Sequence, residues 1–458
     1  MKIQNDNTHN LAALKPVLQT LLGLAKKQGA DAAEVTGTHG LSVSIGARGG
    51  ELEDIENSEN KDIGLRVFVG KRQACVSSSD LSKSSLEQLA ERVTAMAKLA
   101  PEDPYCGLAA SEKLVTHEQI DELDLETDDP INLQTGELFS RAKELEAAAL
   151  SVQGVQQVEG ANAYMAKSSL YFMTSDGFSM GRSSSQHGLS VSAIASDGSA
   201  MERDYDYQST RWFEDLRKPK KIGTLAGERA IARLGAKKLK SGNLPVLFDT
   251  RVSSQLLNAL LGAISGPAIT RGISFLKDDL GKPLFSKNIN ITDDPFIKRG
   301  ASSHLWDGEG VFCNPLKIIK EGVLHSWLLH SASARQLGLK TTGHATHSIS
   351  SPPGVSATNA FIHNGDQSPK QVMKDIGEGL FISEMFGPSL NTNTGDYSVG
   401  IAGFAIENGA KTYPVSEVTI AGNLKDMFAS LIACNDLKRE ESVNAPSLLI
   451  PNMVIAGE

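Results

Sequence analysis

At 458 residues the chain exceeds what one ordinary hydrophobic core organises, so two domains are the natural expectation. Apolar residues make up 40% and charged residues 22%, the balance of a water-soluble globular protein. The formal net charge of −9 argues against a nucleic-acid footprint, and the short basic clusters at 217–221 and 237–240 read as solvated helix ends.

In chain order, residues 1–7 carry no apolar h-region and so do not read as a signal peptide. No run approaches the ~18 apolar residues of a membrane span. The first helix is expected over 11–28, with Leu14, Val17, Leu18, Leu21, Leu22 and Leu24 on its apolar face and Gly29 at its end. Leu41, Val43, Ile45 and Ala47 alternate with small residues, as a strand does. Residues 63–69, Gly70-Lys71 and 72–78 read as a hairpin. Ser84-Ser85-Leu86-Glu87 has capping-box form and opens a helix to about 99. The acidic, apolar-poor stretch 102–130 reads as a surface connection, followed by a helix near 133–150. Strands at 164–173, 178–185 and 189–195, punctuated by Asp176-Gly177 and Asp197-Gly198, form a predicted meander. A helix over 222–239 closes this half, and Ser241-Gly242-Asn243 marks the boundary.

Beyond it, helices are expected at 253–264, 369–376 and 425–433. Short β-like stretches lie between them at 311–312, 318–319, 323–329, 397–407 and 415–420, with a hairpin turn at Asn408-Gly409. The expected fold class is therefore α+β in two domains. Residues 1–240 form an α/β half with a β-meander, and residues 241–458 a mostly β half. No repeat of 20–50 residues stands out.

Chemistry is sparse. The four cysteines lie far apart with no C-x-x-C pair, which suits reduced thiols in the cytoplasm. Cys434, following Leu431-Ile432-Ala433, reads as a buried thiol in an apolar helical stretch. His344 and His347 have H-x-x-H spacing, with His325 and His330 upstream, but their flanks read as loop and fix no common face. His117-Glu118 begins like H-E-x-x-H, yet position 121 is Asp. Nucleophile elbows, Walker loops and G-x-G-x-x-G are absent, and Asp307-Gly308-Glu309-Gly310 reads as a turn between strands.

The run from Gly395-Asp396-Tyr397-Ser398-Val399-Gly400 through Glu407-Asn408-Gly409 to Asn423-Leu424-Lys425-Asp426-Met427 resembles the PmbA (TldE) branch of the TldD/PmbA family. Leu337–Ala345, Gly262–Gly266, Gly64–Phe68 and Glu228-Arg229-Ala230 are similar to the same branch, so the likeness runs along nearly the whole chain. The resemblance implies a heteromeric cytoplasmic zinc metalloprotease acting on small or unfolded peptides. In that family the TldD-type subunit carries H-E-x-x-x-H and a later cysteine. Here Asn258, Ala259 and Ala263 stand at the motif positions, and no cysteine follows Asp436.

The resemblance thus implies that this chain binds no metal or cofactor itself, has no catalytic residue of its own, and leaves the zinc to a TldD-type partner. Family roles in peptide maturation, antitoxin degradation and modulation of DNA gyrase come with the likeness. Asn391, Thr394, Asp396 and Tyr397, in a polar stretch with few bulky groups, are the candidate peptide-channel residues. Two alternatives remain open at this point: an autonomous metallopeptidase built on His344, His347 and a distant carboxylate, and a peptide-binding adaptor or homodimer. No nucleic acid and no membrane are expected as partners.

Overall fold

The computed structural model describes residues 11–198 and 200–458, so the reading of residues 1–7 lies outside the described residues. Helix α1 (Leu11–Lys27) buries Leu14, Leu18, Leu21 and Ala25, a stripe spaced at four and three residues. Strands β1 (Ala32–Arg48), β2 (Glu51–Val69) and β3 (Arg72–Ser78) follow as antiparallel neighbours. Helix α2 (Lys83–Leu99) starts one turn-position earlier than the capping box suggested: Ser82, not Ser84, accepts from the Ser85 amide.

Helix α3 (His117–Glu122) lies within the acidic connection, capped by Thr116 and Gln119. That connection is more than a surface strap. Val115, Leu125 and Asp129 are buried, and its main chain bonds to Gly310, Phe312 and Arg299 of the second half. Helix α4 (Thr135–Leu150) leads to the meander of β4 (Val155–Thr174), β5 (Ser179–Ser196) and β6 (Met201–Thr210), then α5 (Pro219–Ala232). Pro219 fixes the start of α5 upstream of the expected residue 222.

The predicted strands 178–185 and 189–195 are one strand. Gly188 allows this: a Cβ there would lie 2.1 Å from the Tyr164 ring, which crosses the glycine and donates its hydroxyl to Ser209 Oγ at 3.0 Å. The resulting sheet has the order β3-β2-β1-β4-β5-β6, antiparallel throughout. Helices α1 and α2 pack against β1–β3, and α4 and α5 against β4–β6, giving two cores in one layered half.

The second half opens with β7 (Gly242–Phe248), α6 (Thr250–Ala263) and the short α7 (Gly266–Thr270). Asp249 caps α6 through the Arg251 amide at 2.9 Å. Then come β8 (Ile291–Asp293), β9 (Leu316–Lys320), β10 (Val323–Leu324), α8 (Ser331–Leu337), β11 (Ala360–Ile362) and α9 (Pro369–Ile376). The expected strand 323–329 pairs only at its first two residues. Beyond them the chain leaves the hairpin, and Leu328 bridges to Ser265.

The last elements are β12 (Gly379–Leu390), β13 (Asp396–Glu407), β14 (Ala410–Asn423), α10 (Leu424–Ser430), β15 (Ile432–Ala433), β16 (Val443–Asn444) and β17 (Leu448–Ala456). The stretch expected as one helix over 425–433 divides into α10 and β15. Cys434 therefore follows a strand, although it is fully buried as expected. Strands run in the order β14-β13-β12-β7-β17, and β14 also pairs with β17, so this sheet closes on itself. Its interior is Val246, Leu380, Ile382, Val399, Ile401, Val418, Ile420 and Ile450, with Leu256, Leu257 and Leu260 of α6 in the same core.

The halves are tied by arginines. Arg251 meets Asp204 at 2.7 Å, and Arg233 reaches Glu202, Asp204 and Glu384 together. At Gly64 on β2 a Cβ would fall 2.3 Å from the Ile349 carbonyl oxygen, so loop 344–351 rests directly on the strand backbone. Among the described residues no helix is long and apolar enough to cross a membrane.

Candidate functional site

Helix α6 carries the positions compared with the zinc motif. It buries Val252, Leu256, Leu257, Leu260 and Leu261 and turns Asn258 and Gly262 outward, where a Cβ on Gly262 would meet nothing within 4 Å. Ala259 is half-buried against the core and Ala263 is buried. Residues five apart in a regular helix point about 140° from each other, and Asn258 and Ala263 follow that rule. The segment after Asp436 returns to this helix: β16 packs on it, and Ser253 Oγ donates to the Ala445 carbonyl at 3.2 Å. Ser442, Val443, Asn444 and Ala445 supply no thiol there. Asn258, Ala259 and Ala263 offer no imidazole and no carboxylate, so this donor set does not fit a zinc ion.

The turn 391–396 lies beyond the C-terminal end of α6. Ser274 Oγ donates to the Ala263 carbonyl at 2.6 Å, and the next amide, Phe275, donates to the Thr392 carbonyl at 2.8 Å. Asn391, Thr394 and Asp396 are exposed, but their polar atoms are engaged locally. The Asn393 amide donates to Asn391 Oδ1, Thr394 Oγ1 donates to Asp396 Oδ2 at 2.7 Å, and Asn423 Nδ2 donates to Asp396 Oδ1 at 3.0 Å. Those bonds hold the Asp396 carboxyl below its ordinary range. Tyr397 differs from its neighbours: it is buried in the barrel core, its hydroxyl 3.7 Å from Met385 Sδ, and burial pushes it up to about 12.

His344 and His347 occupy a third region. His344 is buried, with Nε2 3.0 Å from Asp293 Oδ2 and Nδ1 2.9 Å from Thr342 Oγ1. Asp293 also accepts from the Thr358 amide and hydroxyl. Both His344 nitrogens are thus committed within the protein. His347 lies with its ring edge-on to Trp306 at 5.0 Å and to Phe172 at 5.9 Å, and neither nitrogen has a partner. Burial and the nearby Arg182 charge hold it well below the ordinary histidine range. Among the described residues no three His, Cys, Asp or Glu side chains meet as a metal site, so the structure does not gather His344, His347 and a carboxylate into one.

These histidines border a cavity of about 700 Å³ between the halves. Its walls come from β4 and β5, the acidic connection, residues 301–306 and loop 344–347. Arg182 of β5 donates Nη1 to the Trp306 carbonyl at 2.9 Å and lies over the Trp306 ring. Sequence reading passed over Arg182, Arg211 and Trp306. The only trace of them was an arginine inside a serine-rich strand and a tryptophan before a turn. The turn itself is as expected, with the Asp307 amide on the Val311 carbonyl and a Trp306–Phe312 bridge. Buried Asp307 accepts from the Glu309, Val311 and Ala345 amides, while burial and the Glu309 charge push its carboxyl upward.

The chain thus combines an antiparallel layer with a small closed barrel against which α6 packs its apolar face. Domain profiles described as PmbA/TldA metallopeptidase match residues 33–97 (domain 1), 124–234 (central domain) and 241–457 (C-terminal domain). The chain belongs to the PmbA/TldD family. Metalloprotease PmbA of Escherichia coli O157:H7 is 35% identical over 460 residues, covering 100% of this chain and 99% of that one. A Bacteroides thetaiotaomicron protein of solved structure, described as a candidate modulator of DNA gyrase, superposes with a TM-score of 0.88 at 26% identity. That match covers 97% of this chain and 99% of the other. TldE from Thermococcus kodakarensis shares the fold, with a TM-score of 0.82 at 18% identity over 96% of this chain and 100% of that one.

Proposed function

We propose that the chain is the non-catalytic, TldE-type subunit of a cytoplasmic two-component zinc protease that cleaves small or unfolded peptides. The observation that carries this reading is α6: Asn258, Ala259 and Ala263 offer neither ligand nor base, yet the outer face of the helix stays open at Gly262. A TldD-type partner would hold the zinc, which would supply Lewis-acid activation of water for hydrolysis. This chain contributes a wall on which an extended peptide is held. Asn391, Thr394 and Asp396 form part of that wall, while Tyr397 lies in the barrel core.

Modulation of DNA gyrase, the description carried by the Bacteroides relative, is the second reading. The test is hydrolysis of an unfolded peptide by this chain, by a TldD-type subunit, and by the two mixed. Turnover by the mixture, well above the sum of the separate subunits, is the expected result. A mixture no more active than the TldD-type subunit alone would remove the two-component reading and leave the second.

A further inference from the structure

The cavity between the halves holds two arginines that make no direct ion pair. Among the described residues no carboxylate lies within ion-pair distance of Arg182 or Arg211, and Asp307 and Asp128 act on them only from farther off. Arg211 spends its donors on main-chain carbonyls, Nε on Gly300 and Nη2 on Ala301, both at 2.8 Å. Arg182 spends Nη1 on the Trp306 carbonyl. Carbonyl dipoles orient a guanidinium but do not cancel its charge, and a charge removed from water without a partner is costly.

Two acids among the described residues line the cavity, and only one of them is ion-paired. Glu126 is paired with Lys298 and Arg299, and Asp124 accepts from the Glu126 amide at 3.0 Å. Burial lowers Arg182 to about 10 and pushes the Cys313 thiol well up, which takes that neighbour out as a counterion. The rest of the wall is mixed: Ile120, Leu123 and Leu170 stand beside the serines at 183, 184, 302 and 303, and His304 and His347. A second cavity of about 570 Å³ shares Ser184, Arg211 and Ala301 with the first and adds Lys167, Lys298, Arg299 and Arg439 beside Asp215 and Glu440. A volume of this size with convergent polar groups is that of a ligand site.

We propose that this cavity binds a carboxylate lying next to an apolar side chain of a peptide, with Arg182 as the anchor and Leu170 and Leu123 as the apolar floor. Arg211 adds charge from the shared wall. The planar guanidinium fork matches a carboxylate better than an ammonium does. The ligand is taken as a peptide on the strength of the proposed function, but carboxylate recognition itself needs neither a partner subunit nor hydrolysis. Two sources carry this chemistry, a free peptide C-terminus and an internal acidic side chain.

The experiment is binding to the full chain by calorimetry, with three N-acetylated tripeptides of similar size. The first ends in leucine with a free carboxylate, the second is its amide, and the third is an amide with glutamate before the leucine. The free acid is expected to bind at least about tenfold more tightly than its amide. Recovery of affinity by the glutamate amide would assign the site to acidic side chains, and failure to recover would assign it to chain termini. Arg182→Gln is expected to abolish the preference and Arg182→Lys to keep part of it, with thermal unfolding confirming the fold of each. Equal binding of acid and amide, no binding of any peptide, or a preference that survives in Arg182→Gln would overturn the site. If Arg182→Gln does not fold, the comparison on the unaltered chain decides alone. A two-component protease that works while this preference is absent would sink the carboxylate site and leave the proposed function standing.

Discussion

On the outer face of α6, Asn258 stands exposed and Gly262 has open space around it. In the cavity wall, His344, His347 and Arg182 are enclosed, and each is fixed by aromatic, main-chain or carboxylate neighbours. The first region offers no imidazole or carboxylate at Asn258, Ala259 and Ala263, and its outward positions make few contacts. The second holds polar groups that are tightly built in, and its spare feature is charge. Openness and chemical potential therefore lie in different places on this chain. A histidine pair with metal-like spacing can belong wholly to the structure.

Substitutions can break or sharpen that contrast. His344→Ala should be the most damaging, because it strips the fully buried Asp293 of its imidazole partner. A loss of about 3 kcal/mol is expected in urea unfolding, with no change in zinc content. Zinc lost with the imidazole would make the cavity wall a metal site and reverse the contrast. Gly64→Ala drives a Cβ into the Ile349 backbone, and about 2–3 kcal/mol should be lost as loop 344–351 lifts from β2.

Acid should weaken the cavity region next. Burial and the Arg182 charge hold His304 down at about 3, and His347 is also held well below the ordinary range. The unfolded chain takes up these protons near pH 6.5 while the folded chain does not, so stability present at neutral pH is lost as the pH falls below 6.5. At pH 5 a single histidine held neutral accounts for about 2 kcal/mol. His347→Phe should flatten the fall in unfolding free energy between pH 7 and 5, and an unchanged slope would contradict its burial as a neutral ring. The smallest effects belong to α6. Asn258→Ala should stay within about 0.5 kcal/mol of the unaltered chain, and Gly262→Ala should stabilise by about 0.5–1 kcal/mol in the same unfolding measurement.

The hairpin turns were legible in the sequence for a local reason. Gly177, Gly198 and Asn408-Gly409 take positive φ, and only a few residue types do so readily. The ends of apolar runs were less legible. Residues 425–433 have no breaker, and what divides them into α10 and β15 is pairing with β17, a partner supplied by a later part of the chain. Strand β5 looked broken at Gly188 because the Tyr164 ring that covers the gap lies on another strand.

The same division holds for the site. The α6 positions could be read because a motif's spacing is local. The Arg182–Trp306 contact joins residues 124 apart, and no pattern in either segment announces it.

The most direct test of the central claim is zinc content per chain, measured on this chain purified alone, equilibrated with zinc and then desalted. The account predicts that no zinc is retained in stoichiometric amount and that an unfolded peptide is not cleaved. About one zinc retained per chain, together with hydrolysis by the chain alone, would contradict it.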